Sequence, residues 1–299
     1  MNSDMARFLQ TVVLISLLTL MGCGSSRSAQ ANSFQAPIQA IQNKGSDTMV
    51  NLALAWAEAY TVQHPGVPIA VTGGGSGTGI AALINGTVNI ANASREMKPE
   101  EIAEARAQGI EPVEHIVARD AIAVVVHPSN PVEGLTIPQL AALFTGEITN
   151  WREVGGQNRP IVLLSRESNS GTYVYFLEQV VRQGDKESEA LFSSDTLLMP
   201  SSEGIGNEVR QNPNAIGYDG LGYVTSDQKT LAVSRGEGEP YVKPSVETVN
   251  NTTYPIARPL YMYTNGPPSG VIRDYLEWIT GPEGQAIVQE LGFIPLQRR

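Results

Sequence analysis

The chain has 299 residues, 41% of them hydrophobic and 17% charged, with a net charge of −10 and a pI near 4.9. Such proportions are ordinary for a globular protein, and the length suits one large or two medium domains. The acidic balance argues against nucleic acid and anionic membrane surfaces as partners, so any bound anion must be held by local dipoles and not by the overall field.

Arg7 precedes an apolar run, Phe8 to Met21, broken only by Gln10, Thr11, Ser16 and Thr19. The run is short for a membrane span and reads as a signal peptide over residues 1–22. It ends in Leu20-Met21-Gly22-Cys23, and Cys23 is the only cysteine, so no internal disulfide can form. A lone cysteine after a small residue at the end of such a run resembles the lipobox of bacterial lipoproteins. That resemblance implies that Cys23 becomes the mature N-terminus and carries lipid. A plain signal peptide cleaved nearby is the alternative, and either reading places the mature protein outside the cytoplasmic membrane. Residues 23–40 are rich in Ser, Ala and Gln without an apolar period, which predicts a flexible tether.

Gly45-Ser46-Asp47-Thr48 precedes Met49, Leu52, Ala53, Trp56, Ala57 and Tyr60, whose spacing predicts an amphipathic helix. Val67 to Val71 reads as a short strand. Gly73-Gly74-Gly75-Ser76-Gly77-Thr78-Gly79 then opens a second helix through Ile84. Val88 to Ala91 is another strand, followed by Asn92-Ala93-Ser94-Arg95 and by Pro99-Glu100-Glu101, which suits a helix first turn. His115 to His127 is the longest strand-like stretch, interrupted by Arg119-Asp120. Thr136 to Phe144 reads as a helix and Gly146 to Asn158 as a loop containing Trp151.

Pro160-Ile161-Val162-Leu163-Leu164 reads as a buried strand, and Tyr173 to Val181 as a helix. Between them lies Arg166-Glu167-Ser168-Asn169-Ser170-Gly171-Thr172. A cation thus leaves a strand end while hydroxyls and a glycine sit where unpartnered helix N–H groups point outward. That is a seat for an oxyanion; an ordinary Ser/Thr N-cap explains the same residues. Gly217 to Tyr223, rich in Gly and Tyr, reads as a turn under packed rings. Ile256 to Thr264 reads as a second long strand. Ser269 caps a helix, Pro282 starts the last one, and Gly292 ends it.

Four times an extended segment gives way to small polar residues and then to a helix. This alternation predicts an α/β fold with a mainly parallel sheet and a ligand at the carboxyl ends of its strands. The two long strands suggest crossings between two lobes, residues 41–122 plus 257–299 and residues 123–256.

Several chemistries fit poorly. The glycines at 73–79 lack the Lys-Ser/Thr of a P-loop and the dinucleotide spacing, leaving a tight turn or a backbone nest for a small anion. Neither Ser76 nor Ser170 sits in Gly-x-Ser-x-Gly. His64, His115 and His127 are isolated, His64 reading as structural in a turn, and no metal-ligand cluster is seen. No catalytic residue and no cofactor is expected.

Gly45-Ser46-Asp47-Thr48, Gly75-Ser76-Gly77, Ala93-Ser94-Arg95 and Arg166-x-x-x-Ser170-Gly171-Thr172 occur in this order. Together with Arg119 to Val126, Phe144 to Trp151 and Ile216 to Tyr223, they resemble the phosphate-binding proteins of Pst-type ABC importers. The resemblance runs from about Lys44 to the C-terminus. It implies a two-lobed periplasmic-binding-protein (type II) fold that closes on one inorganic phosphate and delivers it to the transmembrane subunits of an ABC permease. A monomer at the extracytoplasmic face (periplasm or cell surface), touching the membrane only through a lipid anchor, is expected. Asp47 and Thr48 would offer first-helix groups, Ser76 a hydroxyl and an N–H, and Arg166 a charged, bidentate clamp. Ser170, Gly171 and Thr172 would offer the second lobe's helix start, with Ser46, Ser94 and Arg95 beside them. In the best-known members an Asp stands where this chain has Ser94; that Asp accepts the proton of phosphate and excludes sulfate. Here Asp47 or Ser94 is expected to supply the acceptor. A binding protein for another tetrahedral anion, sulfate or molybdate, is the alternative. A secreted phosphatase using Ser76 or Ser170 is the third reading.

Overall fold

The first strand, β1 (Ile41–Gly45), turns Ile41, Asn43 and Gly45 inward. It belongs to a computed structural model that describes residues 40–297. The expected signal peptide, Cys23 and all of the tether before Ala40 lie outside the described residues. A 3-10 turn at Asp47–Met49 leads into α1 (Val50–Gln63), which buries Leu52, Ala53, Trp56, Ala57 and Tyr60 at the predicted spacing. His64 stacks on Tyr60, 4.1 Å between ring centroids. Next come β2 (Ile69–Thr72), α2 (Ser76–Ile84), β3 (Ile90–Ala93), α3 (Pro99–Ala107) and the long β4 (Pro112–Val126). β5 (Gly134–Thr136) runs into α4 (Ile137–Thr145), capped by Thr136, whose hydroxyl accepts the Gln139 N–H.

β6 (Val162–Arg166) leads to α5 (Gly171–Phe176), which continues as a π-helical segment at Leu177–Val181. β7 (Leu197–Met199), α6 (Ser202–Gln211), β8 (Ala215–Gly220), β9 (Lys229–Thr230), β10 (Ala232–Ser234) and α7 (Val246–Asn250) follow. β11 (Ala257–Asn265), α8 (Gly270–Thr280) and α9 (Pro282–Glu290) complete the order.

Among the described residues the main sheet runs β2-β1-β3-β11-β4-β8-β6-β7, with β9 beside β4, and β5 pairs separately with β10. It is less parallel than the alternation of elements predicts. β2-β1-β3 and β8-β6-β7 are parallel, but β3-β11-β4-β8 are antiparallel neighbours. β4 and β11 are themselves the reason: each runs against the strands it joins. β4 pairs with β11 over Pro112–Ala121 and with β8 over Ile122–Val126, so it leaves one half of the sheet and enters the other. The fold is α/β and two-lobed, with β4 and β11 as its crossing strands.

The apolar cores divide largely in the same way, with Ala121 and Ile294 joining the second. One gathers Ile41, Trp56, Ile90, Leu260, Tyr275 and Phe293. Another gathers Ile122, Phe144, Phe176, Tyr218, Val233 and Ile256. In the second, Phe176 and Tyr218 stack 3.7 Å apart and only 4° from parallel.

Two segments expected to lie outside strands are strand. Asn92 and Ala93 extend β3 because Gly45 of β1 and Tyr261 of β11 pair with them. Gly217 to Tyr223 is expected as a turn, but residues 217–220 belong to the fully buried strand β8, and only Leu221–Tyr223 turns. Pairing on both edges, with β4 and β6, outweighs the low strand propensity of its glycines. At Gly217 a Cβ would stand 2.7 Å from Ile205, so the glycine there serves close packing.

Candidate functional site

Ser46 occupies the N-cap position of the turn after β1, yet its side chain makes no capping bond. Its hydroxyl donates to Ser94 Oγ at 2.9 Å. Ser76, at the start of α2, accepts the Ser94 N–H at 3.0 Å, and the two hydroxyls lie 3.3 Å apart. Three strand-to-helix turns of one lobe therefore converge through their serines. All three are buried.

The turn after β6 meets them from the other side. Thr172 Oγ1 lies 2.7 Å from Thr48 Oγ1. A Cβ on Gly171 would run into the hydroxyls of both Ser76 and Ser94, so only glycine allows this approach. The Gly77 N–H donates to the Asn169 carbonyl at 3.0 Å, and Asn169 Nδ2 donates to the Gly74 carbonyl at 3.0 Å. Gly75, with φ of 95°, carries the glycine turn into this contact, where a Cβ would stand 2.8 Å from the Asn169 carbonyl. Ser170 does what a plain cap does: its hydroxyl accepts the N–H groups of Thr172 and Tyr173.

Arg166 ends β6 with its side chain 1% exposed. Nε donates to the Met199 carbonyl at 3.3 Å and Nη1 to Ser202 Oγ at 2.9 Å. Nη2 donates to Asp47 Oδ2 at 2.9 Å and to the Pro200 carbonyl at 3.2 Å. A guanidinium has five N–H groups, so four are committed to protein and one remains on Nη1. The free bidentate fork expected from the sequence is thus replaced by a fixed charge with a single open donor. Asp47 Oδ2 also accepts the Ser202 N–H at 2.9 Å.

Arg95 is not brought to this cluster. Its guanidinium forms a two-pronged pair with Glu101, at 2.7 and 2.8 Å, and donates to the Glu96 carbonyl. The pairing draws the Glu101 carboxyl below its usual range against the opposing effect of burial. Glu101, read in the sequence as part of a helix first turn, is the partner that claims this cation.

Two buried charge sites escape sequence reading. Asp120 of β4 and Arg258 of β11 face each other in register. Arg258 Nη2 donates to Asp120 Oδ2 at 2.9 Å, and the two side chains are 1% and 0% exposed. The Arg119-Asp120 interruption of β4 and the lone charge of β11, Arg258, were the available signal. Asp219, near the end of β8, is also buried, and its Oδ1 accepts the Gly220 N–H. Burial pushes its carboxyl up to about 7, while the Arg166 guanidinium and the Ser202 hydroxyl pull it down.

Among the described residues no group of three or more His, Cys, Asp or Glu side chains could hold a metal ion. No described helix is long and apolar enough to cross a membrane.

Residues 26–283 match a family model described as a PBP superfamily domain. The phosphate-binding protein PstS of Pseudomonas aeruginosa is 35% identical over 273 residues, 86% of this chain and 83% of that protein. The chain belongs to the phosphate-binding proteins of the PBP superfamily. Within it, PstS of Bacillus subtilis is 31% identical over 277 residues, 91% of this chain and 87% of the relative. A substrate-binding protein of Clostridium perfringens, crystallised with bound phosphate, superposes with a TM-score of 0.77 at 32% identity. That alignment covers 87% of this chain and 100% of the other.

Proposed function

We propose that this chain binds inorganic phosphate in the cleft between its lobes and delivers it to the transmembrane subunits of an ABC permease, without turning it over. The observation that carries the reading is the convergence of Ser46, Thr48, Ser76 and Ser94 from one side with Arg166, Gly171 and Thr172 from the other. Hydroxyls, helix-start N–H groups and one buried guanidinium suit a compact, doubly negative oxyanion. Charge-assisted hydrogen bonds contribute roughly 1.5–3 kcal/mol each. Micromolar affinity needs about 8 kcal/mol, so a handful offsets the cost of ordering the site.

The proposed phosphate set is Ser46, Asp47, Thr48, Ser76, Ser94, Arg166, Gly171 and Thr172, with Ser170 holding the helix start. Arg95 is left out because Glu101 holds it. We place the lobes at 41–122 plus 257–299 and at 123–256, in keeping with the division of the apolar cores. Asp47 is the favoured acceptor for the proton of phosphate: among the described residues its Oδ2 is taken by Arg166 and Ser202 while Oδ1 carries no hydrogen bond. Anchoring through lipid on Cys23, an extracytoplasmic location and a monomeric state belong to the same reading and rest on the sequence.

Calorimetric titration of the purified chain with phosphate, sulfate and molybdate tests it. Phosphate should bind in the micromolar range or tighter and the other two far more weakly. Equal affinity for phosphate and sulfate would remove the proposed acceptor. Release of a chromophore from an aryl phosphate would instead revive the hydrolase reading.

A further inference from the structure

Arg258 touches both sides of the serine and threonine cluster without belonging to the motifs that compose it. Nη1 donates to the Ser94 carbonyl at 2.9 Å. Nη2 donates to Thr172 Oγ1 at 2.9 Å and to Asp120 Oδ2 at 2.9 Å. Nε reaches the same Asp120 oxygen at 3.3 Å. Asp120 Oδ1 in turn accepts the Leu221 N–H at 3.2 Å. One ion pair, carried by the two crossing strands, thus reaches Ser94 in one lobe and both Thr172 and Leu221 in the other.

The polarity of these bonds matters. A guanidinium only donates, so Thr172 Oγ1 must accept from Arg258. The Thr172 proton is then left to point elsewhere, toward Thr48 Oγ1 or toward a bound anion. In the same way the Ser94 carbonyl is fixed, and with it the turn that sets the Ser94 N–H and hydroxyl against Ser76. A lysine would supply the charge but not a planar fork able to serve Asp120, Thr172 and the Ser94 carbonyl together.

We propose that Arg258, oriented by Asp120, is a positioning residue for anion binding: it presents the Thr172 hydroxyl to the cleft as a donor and holds the Ser94 turn against it when the lobes close. This inference rests on the phosphate-binding reading above. It identifies β11 as more than a passive hinge, because the strand carries the side chain that reads whether both lobes are in place.

The test is a double-mutant cycle on the full chain, read by calorimetry with inorganic phosphate. Arg258→Lys should weaken phosphate binding about ten- to a hundred-fold, the range of one or two lost charge-assisted hydrogen bonds. Thr172→Val should weaken it comparably. The double variant should bind no worse than the weaker single one, because both remove the same donor. Unchanged affinity in Arg258→Lys, or losses that multiply, overturns the assignment. A merely structural Arg258 would lower the melting temperature of the ligand-free protein and leave the dissociation constant alone. If Arg258→Lys does not fold, Asp120→Asn replaces it in the cycle with the same expected non-additivity. Failure of both to fold places the pair in the core alone and overturns the proposal. Wild-type protein that binds no phosphate refutes the underlying function instead, so the two failures are separable.

Discussion

Asp47 and Arg166 meet at 2.9 Å across the cleft, one from the turn after β1 and the other from the end of β6. A carboxylate this close to an anion site repels a dianion, yet it also fixes the cation that attracts one. Its second oxygen accepts no hydrogen bond among the described residues. Asp47→Asn should therefore narrow the preference for phosphate over sulfate. Losing the charge removes the penalty against sulfate, whose affinity should rise by about ten-fold, equivalent to about 1.4 kcal/mol. Parallel titrations with both anions measure the ratio, and an unchanged ratio would transfer the acceptor role to Ser94.

Arg166→Lys should impair folding stability and binding together. The arginine spends four hydrogen bonds on Asp47, Met199, Pro200 and Ser202. A lysine ammonium cannot reproduce that spread of acceptors. We expect phosphate affinity to fall about ten-fold or more, the loss of at least one charge-assisted bond. Thermal melting of the ligand-free protein should fall as well. A variant with weaker binding and an unchanged melting temperature would mean that the protein contacts are incidental.

Gly171→Ala should separate closure from folding. The added methyl meets the Ser76 and Ser94 hydroxyls, which belong to the opposite lobe. In the open form nothing need collide. Overpacking of this kind costs about 1–3 kcal/mol, or roughly ten- to a hundred-fold in affinity. Melting of the ligand-free protein should stay near wild type while the stabilisation on adding phosphate shrinks. Tight phosphate binding by the alanine variant would show that the lobes do not approach this closely when occupied.

Asp219 makes stability depend on pH. Its carboxyl titrates near 3.8 when free and is pushed up to about 7 in the fold. Between those values the unfolded chain gives up a proton that the folded chain keeps, so this contribution is complete below the lower value and is lost as pH rises through the upper one. The span is worth roughly 4 kcal/mol at full extent. Asp219→Asn, neutral throughout, should remove the slope and leave the variant more stable than wild type at pH 8 but not at pH 4. Urea unfolding at both pH values reads this directly, and parallel profiles would refute it.

What could be read from the chain alone was local. The three- and four-residue spacing of Leu52, Trp56 and Tyr60 marked α1, and Thr136 to Phe144 was legible as α4, because such patterns act within a few residues. Two long apolar runs announced β4 and β11, since the parts of these strands buried on both faces need no alternation. The serines and threonines before helices marked the turns that meet at the cleft.

Tertiary structure decided what those turns touch. Whether Arg95 serves an anion or Glu101, how many donors Arg166 keeps, and that Arg258 stands between Ser94 and Thr172 depend on groups from six to 164 positions apart. Strand or turn at residues 217–220 was settled likewise, by β4 and β6 on either edge of β8. A local pattern states which groups a segment can offer; only packing determines which partners reach them first, because a buried donor is satisfied by whichever acceptor the fold brings within 3 Å or so.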